Sequence, residues 1–184
     1  MPTVYLLIRK NRVLKQLHHS LVTKGPSFLR VPAQWVPFSV KQTVLLNALS
    51  KVFHEALEDG DFEFLEDRWL EVSVIDLGLT AYVSYANDAL VVAQTCEQVD
   101  VCFSGTANDL ILIAARKEDP DTLFFQRRLA ISGDTELGLE VKNLMDSVDW
   151  AALPKPMTVM LEQLAQFIEA GMTYTAEPEH AYKN

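Results

Sequence analysis

Residues 69–105, WLEVSVIDLGLTAYVSYANDALVVAQTCEQVDVCFSG, alternate apolar and polar side chains in four short runs, at 69–76, 79–86, 89–95 and 99–105. The runs are rich in β-branched and aromatic residues, and turn formers fall between them: Gly78 after the first, Asn87 and Asp88 after the second. A period of two over such lengths is the signature of strands with one buried face. Four runs only two to four residues apart predict an antiparallel meander.

On either side of these runs the period changes to that of helices. Upstream, Ser39 and Gln42 have the spacing of a capping box, and Val44, Leu45, Ala48, Leu49, Val52, Phe53, Ala56 and Leu57 recur at helical intervals until Gly60. One amphipathic helix of about five turns is expected there. Before it, KGPSFLRVPAQWVPFS holds Pro26, Pro32 and Pro37, so residues 24–39 are not expected to form a continuous helix. Downstream, Thr106 and Asp109 mark the start of a helix. Asp119-Pro120 opens a short one through Phe124 and Phe125, because proline suits a first helical turn and aspartate caps it. RLAIS, 128–132, reads as a fifth strand, Gly133-Asp134 turns it into a helix over 135–148, and 157–172 supplies the last helix. The fold class is α+β, an antiparallel five-stranded sheet with helices packed on one side. The chain divides into an arm (1–38), a domain (39–150), a C-terminal helix (151–172) and a polar tail (173–184) expected to be mobile.

Charge is distributed unevenly. Residues 1–54 contain no Asp or Glu and eight Lys and Arg, which gives +8, while the other 130 residues hold all 25 acids and the remaining eight bases, which gives −17. The arm therefore suits an anionic membrane surface or an acidic partner, or it folds back on its own acidic body. No apolar run approaches the ~18 residues of a membrane span, and the start MPTVYLLIRK lacks the features of a secretory signal. A cytoplasmic location is expected. Cys96 and Cys102, six apart, fall on one face of an extended strand pattern and read as buried free thiols.

Catalytic patterns do not emerge. His18, His19, His54 and His180 have no Cys or carboxylate at metal-ligand spacing, so no metal is expected. FSGTAND and ISGDTEL carry one glycine each and read as strand-to-helix turns, not phosphate loops. Ser104 and Ser132 precede those glycines without a nucleophile elbow. Acid pairs Asp119/Asp121 and Asp134/Glu136 sit in first helical turns, where they answer the helix dipole. Arg127 and Arg128 admit two readings. One is a structural ion pair at a helix-to-strand corner, with Arg128 at the edge of the domain; the other is a guanidinium fork for a carboxylate or phosphate at a cavity mouth.

The stretch from GDFEFLEDRWLEVSVIDLGL through VDVCFSGTANDLILIAARKEDPDTLFFQRRLAISGDTELGLEVKNLMD resembles the sterol carrier protein type two family of lipid-binding domains. Within it, ARKEDPDTLFFQRRLAISGDTELGLEVKNLMD and EFLEDRWL are similar to the members that serve ubiquinone biosynthesis. The resemblance covers about residues 24–172 and departs at the first twenty residues and in the tail. It implies a non-catalytic accessory factor of the oxygen-independent route, with no cofactor. Such a factor holds polyprenylated quinone intermediates, or a phospholipid, in an apolar cavity for hydroxylase partners of the UbiU and UbiV type, and no nucleic-acid partner is expected. A protein-interaction adaptor without lipid transfer is the alternative, and a lipid-processing enzyme ranks third for want of a catalytic constellation. The inward positions of each period nominate Phe53, Leu57, Val72, Val74, Leu110, Ile113, Phe124, Phe125, Leu139 and Leu144 as the cavity lining, with helices 106–117 and 134–148 as walls.

Overall fold

The computed structural model describes residues 2–147 and 154–173, and side chains from residue 13 onward. The long helix α1 (Pro2–Trp35) comes first, followed by α2 (Phe38–Val52), α3 (His54–Glu58) and a 3-10 turn at Glu63–Leu65. Strands β1 (Leu70–Val74), β2 (Leu79–Ala86), β3 (Ala89–Ala93) and β4 (Val101–Gly105) follow, then α4 (Ala107–Ala114), α5 (Pro120–Phe125), β5 (Leu129–Gly133), α6 (Thr135–Ser147) and α7 (Lys155–Met172). The tail expected to be mobile lies, beyond Thr173, outside the described residues.

The strands stand where the alternation put them, but their pairing corrects the expected meander. The sheet order is β3-β2-β1-β4-β5, and β4 runs parallel to β1 while every other pair is antiparallel. The sheet is mixed. Only β1, β2 and β3 form a meander, closed by Asn87 and Asp88, both at positive φ (53° and 59°) as a tight hairpin turn requires. The reason lies in an offset. Strand β3 pairs only with Tyr82–Ala86, so its last residue Ala93 ends opposite Tyr82, itself opposite Glu71 near the start of β1. From there the seven residues 94–100 need cross only three strand spacings of about 4.8 Å each. They reach the far side of β1, where the Trp69 N–H donates to Asp100 Oδ2 (2.8 Å) and the Asp100 N–H returns to the Trp69 carbonyl (3.0 Å).

Register then decides which residues face inward. Leu70, Val72, Val74, Ala81, Val83, Tyr85, Val92, Val101, Phe103, Leu129 and Ile131 share one face by direct pairing, while Glu71, Ser73, Thr80, Tyr82, Cys102, Ser104, Ala130 and Ser132 share the other. The apolar face builds the main core with Ala56, Phe62, Leu65, Ile113, Leu123, Leu137, Val141 and Leu144. Helices α4 and α5 start at the expected caps: Thr106 Oγ1 accepts from the Asp109 N–H (3.2 Å) and Asp119 Oδ1 from the Thr122 N–H (3.0 Å). The helix expected over 39–60 is two helices, broken at Phe53, and it starts at Pro37 without a side-chain cap. The capping box does not form, because the helix starts one residue before Ser39 and takes it into its first turn, while Gln42 reaches across to the sheet, where its Nε2 donates to the Val92 carbonyl (2.6 Å).

The arm also differs from expectation, since α1 runs unbroken through Pro26 and Pro32. A proline at 26 cannot donate to the carbonyl four residues back, which belongs to Val22. That carbonyl is taken instead by Asn108 Nδ2 of α4 at 2.8 Å. The carbonyl freed by Pro32 belongs to Phe28, an exposed residue whose backbone lies on a solvent-facing stretch of the helix. Tertiary packing supplies the rest of the stabilisation. Val22, Leu112, Ala165 and Ile168 form a second small core between α1, α4 and α7. Gly171 has no room for a Cβ against the Val22 side chain, and His18 and His19 hydrogen-bond the carbonyls of Phe167 (2.9 Å) and Gly171 (2.8 Å).

Asn108→Ala should therefore strand the Val22 carbonyl and lower the unfolding free energy by about 1–2 kcal/mol. Pro26→Ala restores the missing backbone N–H. In urea denaturation the double variant should recover most of the loss, a coupling that independent sites would not show.

Candidate functional site

The helices do not close over the whole apolar face of the sheet. Because β3 stops opposite Tyr82, the first part of β2 has no outer neighbour, and α2 bridges from β3 across toward the end of α1. A groove of about 380 Å³ remains beneath it, lined by Val72 and Val74 of β1, Leu79, Thr80 and Ala81 of β2, Val92 of β3, Phe38, Val40, Lys41, Gln42, Val44 and Leu45 of α2, and Ala33 and Val36. Eleven of these fourteen residues are apolar, and Lys41 alone carries a charge. The volume lies at the low end of the range for small-molecule sites, about 300–1,000 Å³. The rim is apolar as well: Val40 and Val44 are 49% and 63% exposed, more than their side chains would be in a closed core. Apart from the Lys41 amine and the Thr80 hydroxyl, such a lining offers no acid, base or nucleophile to a reacting bond. It suits an extended aliphatic chain.

Of the residues nominated from the sequence, Val72 and Val74 line this groove. Phe53, Leu57 and Leu110 are half-buried against the main core, and Ile113 and Leu144 lie within it. Phe124, Phe125 and Leu139 are on the surface, Phe125 at 82% exposed. The wall over the groove is α2, with the end of α1, where α4 and α6 were expected. Helical period marked all of these stripes as apolar, and it does not say which stripe meets a filled core and which meets space. Ala81, Val92 and Leu45 were missed. Their one sequence signal is the small side chain at 81 between larger neighbours.

The two arginines separate clearly. Arg128 turns into the domain, not along its edge, and its Nε and terminal nitrogen both donate to Oδ1 of the buried Asp109 (Nε at 3.0 Å), while Thr106 Oγ1 donates to Oδ2 (2.7 Å). A second terminal nitrogen lies 3.7 Å from Glu118. This network fastens β5 to the start of α4 and is structural. Arg127, placed by the sequence near Asp119, Asp121 and Asp134, makes no ion pair among the described residues: Asp121 is bonded by Lys142 (2.6 Å) and Asp134 lies 3.6 Å from Arg68. Arg127 is held at φ 61° in the corner between α5 and β5. Neither arginine lines the groove.

Other reactive groups are likewise absorbed. Cys102 is on β4 and Cys96 in the loop after β3, not on a strand as the alternation suggested; both are free and half-buried. Burial first, then the Glu71 carboxylate, pushes both thiols above the ordinary cysteine range, which keeps them protonated and weakly nucleophilic at neutral pH. His54 lies 3.7 Å from Glu58 on an exposed helix, and His180 lies outside the described residues. Among the described residues no cluster of His, Cys, Asp or Glu is placed to hold a metal, and no helix is long and apolar enough to cross a membrane.

Residues 46–146 match the sequence pattern of the SCP-2 sterol transfer family. The chain belongs to that family. It is 53% identical over 165 residues to the ubiquinone biosynthesis accessory factor UbiT of Escherichia coli strain K12, an alignment that spans 90% of this chain and 94% of the relative. A solved structure, the ubiquinone synthesis protein UbiJ-SCP2, superposes with a TM-score of 0.50 at 16% identity, over 60% of this chain and 97% of that one, and shares the fold. The α+β fold with one five-stranded sheet is thus that of the SCP-2 sterol transfer family.

Removing Arg128 leaves the buried Asp109 carboxylate without its counter-charge. Arg128→Ala should cost about 3 kcal/mol, the low end for a broken buried pair because the guanidinium side is partly open to water. Arg127→Gly relieves a left-handed backbone and should be neutral or stabilising by about 0.5 kcal/mol. Paired chemical denaturation of the two variants checks the contrast.

Proposed function

We propose that the protein is a lipid-binding accessory factor of oxygen-independent ubiquinone biosynthesis. It holds polyprenylated quinone intermediates in the groove between α2 and the sheet and presents them to hydroxylase partners of the UbiU and UbiV type. The observation that carries this reading is the groove itself, an open apolar cleft with a single cation at its lip in a domain of a sterol transfer family. The pathway is supported by the name of the E. coli relative. The carrier acts in the cytoplasm and meets the inner membrane peripherally through its basic arm, residues 1–38. A second reading, an adaptor that recruits proteins without carrying lipid, draws on Phe124 and Phe125, an edge-to-face pair left on the surface of α5.

Under the carrier reading Val72 and Val74 do the work that the sequence assigned to them, and the groove takes the tail of the ligand while the ring remains near the rim. A polyprenyl chain removed from water gains about 0.8 kcal/mol per buried methylene. About ten buried methylenes give a gross gain near 8 kcal/mol, from which ordering the chain subtracts several. The net, about 4–5 kcal/mol, is a complex in the range of roughly 0.1–1 mM, tight enough to lift a chain and loose enough to hand it on.

The test is groove filling. Ala81→Trp and Val72→Trp should abolish co-purified or added prenyl lipid, read by native mass spectrometry and solvent extraction, with the circular dichroism unchanged. Leu139→Trp and Phe125→Ala, on the outer surface, should leave lipid occupancy as it was. Full occupancy in both groove variants would remove the groove as the site, and loss of hydroxylase capture by Phe125→Ala with lipid intact would favour the adaptor.

A further inference from the structure

Helix α1 has three faces, and only one of them is used by the fold. His18, His19, Val22, Gly25, Pro26 and Ala33 are buried or half-buried on the side that meets α7, α4 and the sheet. A second strip, Gln16, Ser20, Thr23, Ser27 and Gln34, is polar and exposed. The third is a stripe of Leu14, Leu17, Leu21, Phe28, Val31 and Trp35. Each is more than half exposed, Phe28 at 78% and Trp35 at 83%. At 3.6 residues per turn these six fall within about one third of the helix circumference. A run of this length is far more than the scattered apolar residues of an ordinary surface.

The stripe has heptad spacing, 14-21-28-35 and 17-24-31, which would also suit a second copy of the helix. The charges decide against that partner. Lys24 occupies a seam position, the flanking positions are His18, Gly25 and Pro32 on one side and Ser20, Ser27 and Gln34 on the other, and residues 1–54 contain no acid to pair with the other copy's bases. Two such helices would face each other with like charge and no complementary pairs. An anionic lipid surface answers both features at once, taking the apolar stripe into its interface and neutralising Lys24 within it, on a stretch of chain that holds no acid.

We propose that this stripe is a docking face that lays α1 along an anionic bilayer. Its C-terminal end delivers the groove to the lipid, since Trp35 is followed at once by Val36, and Val36, Val40 and Val44 are exposed members of the groove lining. The body, at −17, is repelled by the same surface, so the helix determines the orientation: mouth down, acidic domain away. The docking half stands on the helix alone; the delivery half rests on the carrier reading.

The test uses the full chain with vesicles rich in phosphatidylglycerol and with phosphatidylcholine vesicles. Wild type should sediment with the former, lose binding as salt is raised, and show Trp35 quenching by brominated lipid that disappears in Trp35→Phe. The exposed pair Leu21→Asp and Phe28→Asp should keep the helix content and lose vesicle affinity by about tenfold or more. Absence of binding, or binding that the double variant retains, would overturn the docking face. So would a dimer in solution that the double variant dissociates, which would make the stripe a helix-pairing seam. Ala81→Trp separates the two readings: it should dock as wild type does and extract no lipid. Docking by a wild type that extracts no lipid either would remove the carrier reading and leave the docking face standing.

Discussion

Asp100 is the point on which the arrangement of the sheet depends. Its carboxylate accepts the Trp69 N–H, its own N–H donates to the Trp69 carbonyl, and its carbonyl accepts the Asp134 N–H at 2.8 Å. One residue therefore fixes the starts of β1 and β4 and the turn from β5 into α6. Gly133, at φ 105°, is required beside it because a Cβ there would run into the Asp100 carbonyl. Without this junction β4 would have no cause to lie parallel to β1. The order that places a short β3 at one edge and leaves the start of β2 uncovered would be lost with it.

The local elements were legible and their partners were not. Alternation located β2 at its observed bounds and the other strands to within a few residues, since a strand buried on one face must alternate. Pairing is set by non-local bonds such as that of Asp100, and nothing in residues 94–100 looks like a crossover. The same limit explains the arm. Pro26 is a helix breaker by local rules, and it is tolerated because an asparagine 82 positions away, Asn108, occupies the carbonyl it leaves open. Arg128 was misplaced for a related reason: its strand position puts it beside small polar residues, while its length lets the guanidinium reach the carboxylate of Asp109.

Of the ten residues that the sequence nominated for a cavity, Val72 and Val74 line the groove. Apolar period identifies residues that leave water, and most such residues fill a core. Whether a stripe borders a cavity depends on where a neighbouring element ends. Here it is the early end of β3 and the bridging of α2, with Gln42 tied to Val92, that hold a wall above Val72, Val74 and Ala81 without letting it collapse onto them.

A cleft of this kind carries an energetic penalty when empty, because apolar walls face water with no contacts across the gap. The chain tolerates it where the surrounding core is already complete, with the main cluster filled by Leu65, Leu123, Leu129 and Val101, each at most 1% exposed. The exposed stripe of α1 is a second penalty of the same sign, and it sits at the groove's mouth, on the one part of the chain that bears no acid. Two costs placed side by side are offset by one occupant. In the proposed reading a bilayer surface covers the stripe, and a chain drawn from that bilayer fills the groove. The charge asymmetry then follows as a requirement of the geometry: a uniformly acidic protein could not approach such a surface, and a uniformly basic one could not leave it with its load.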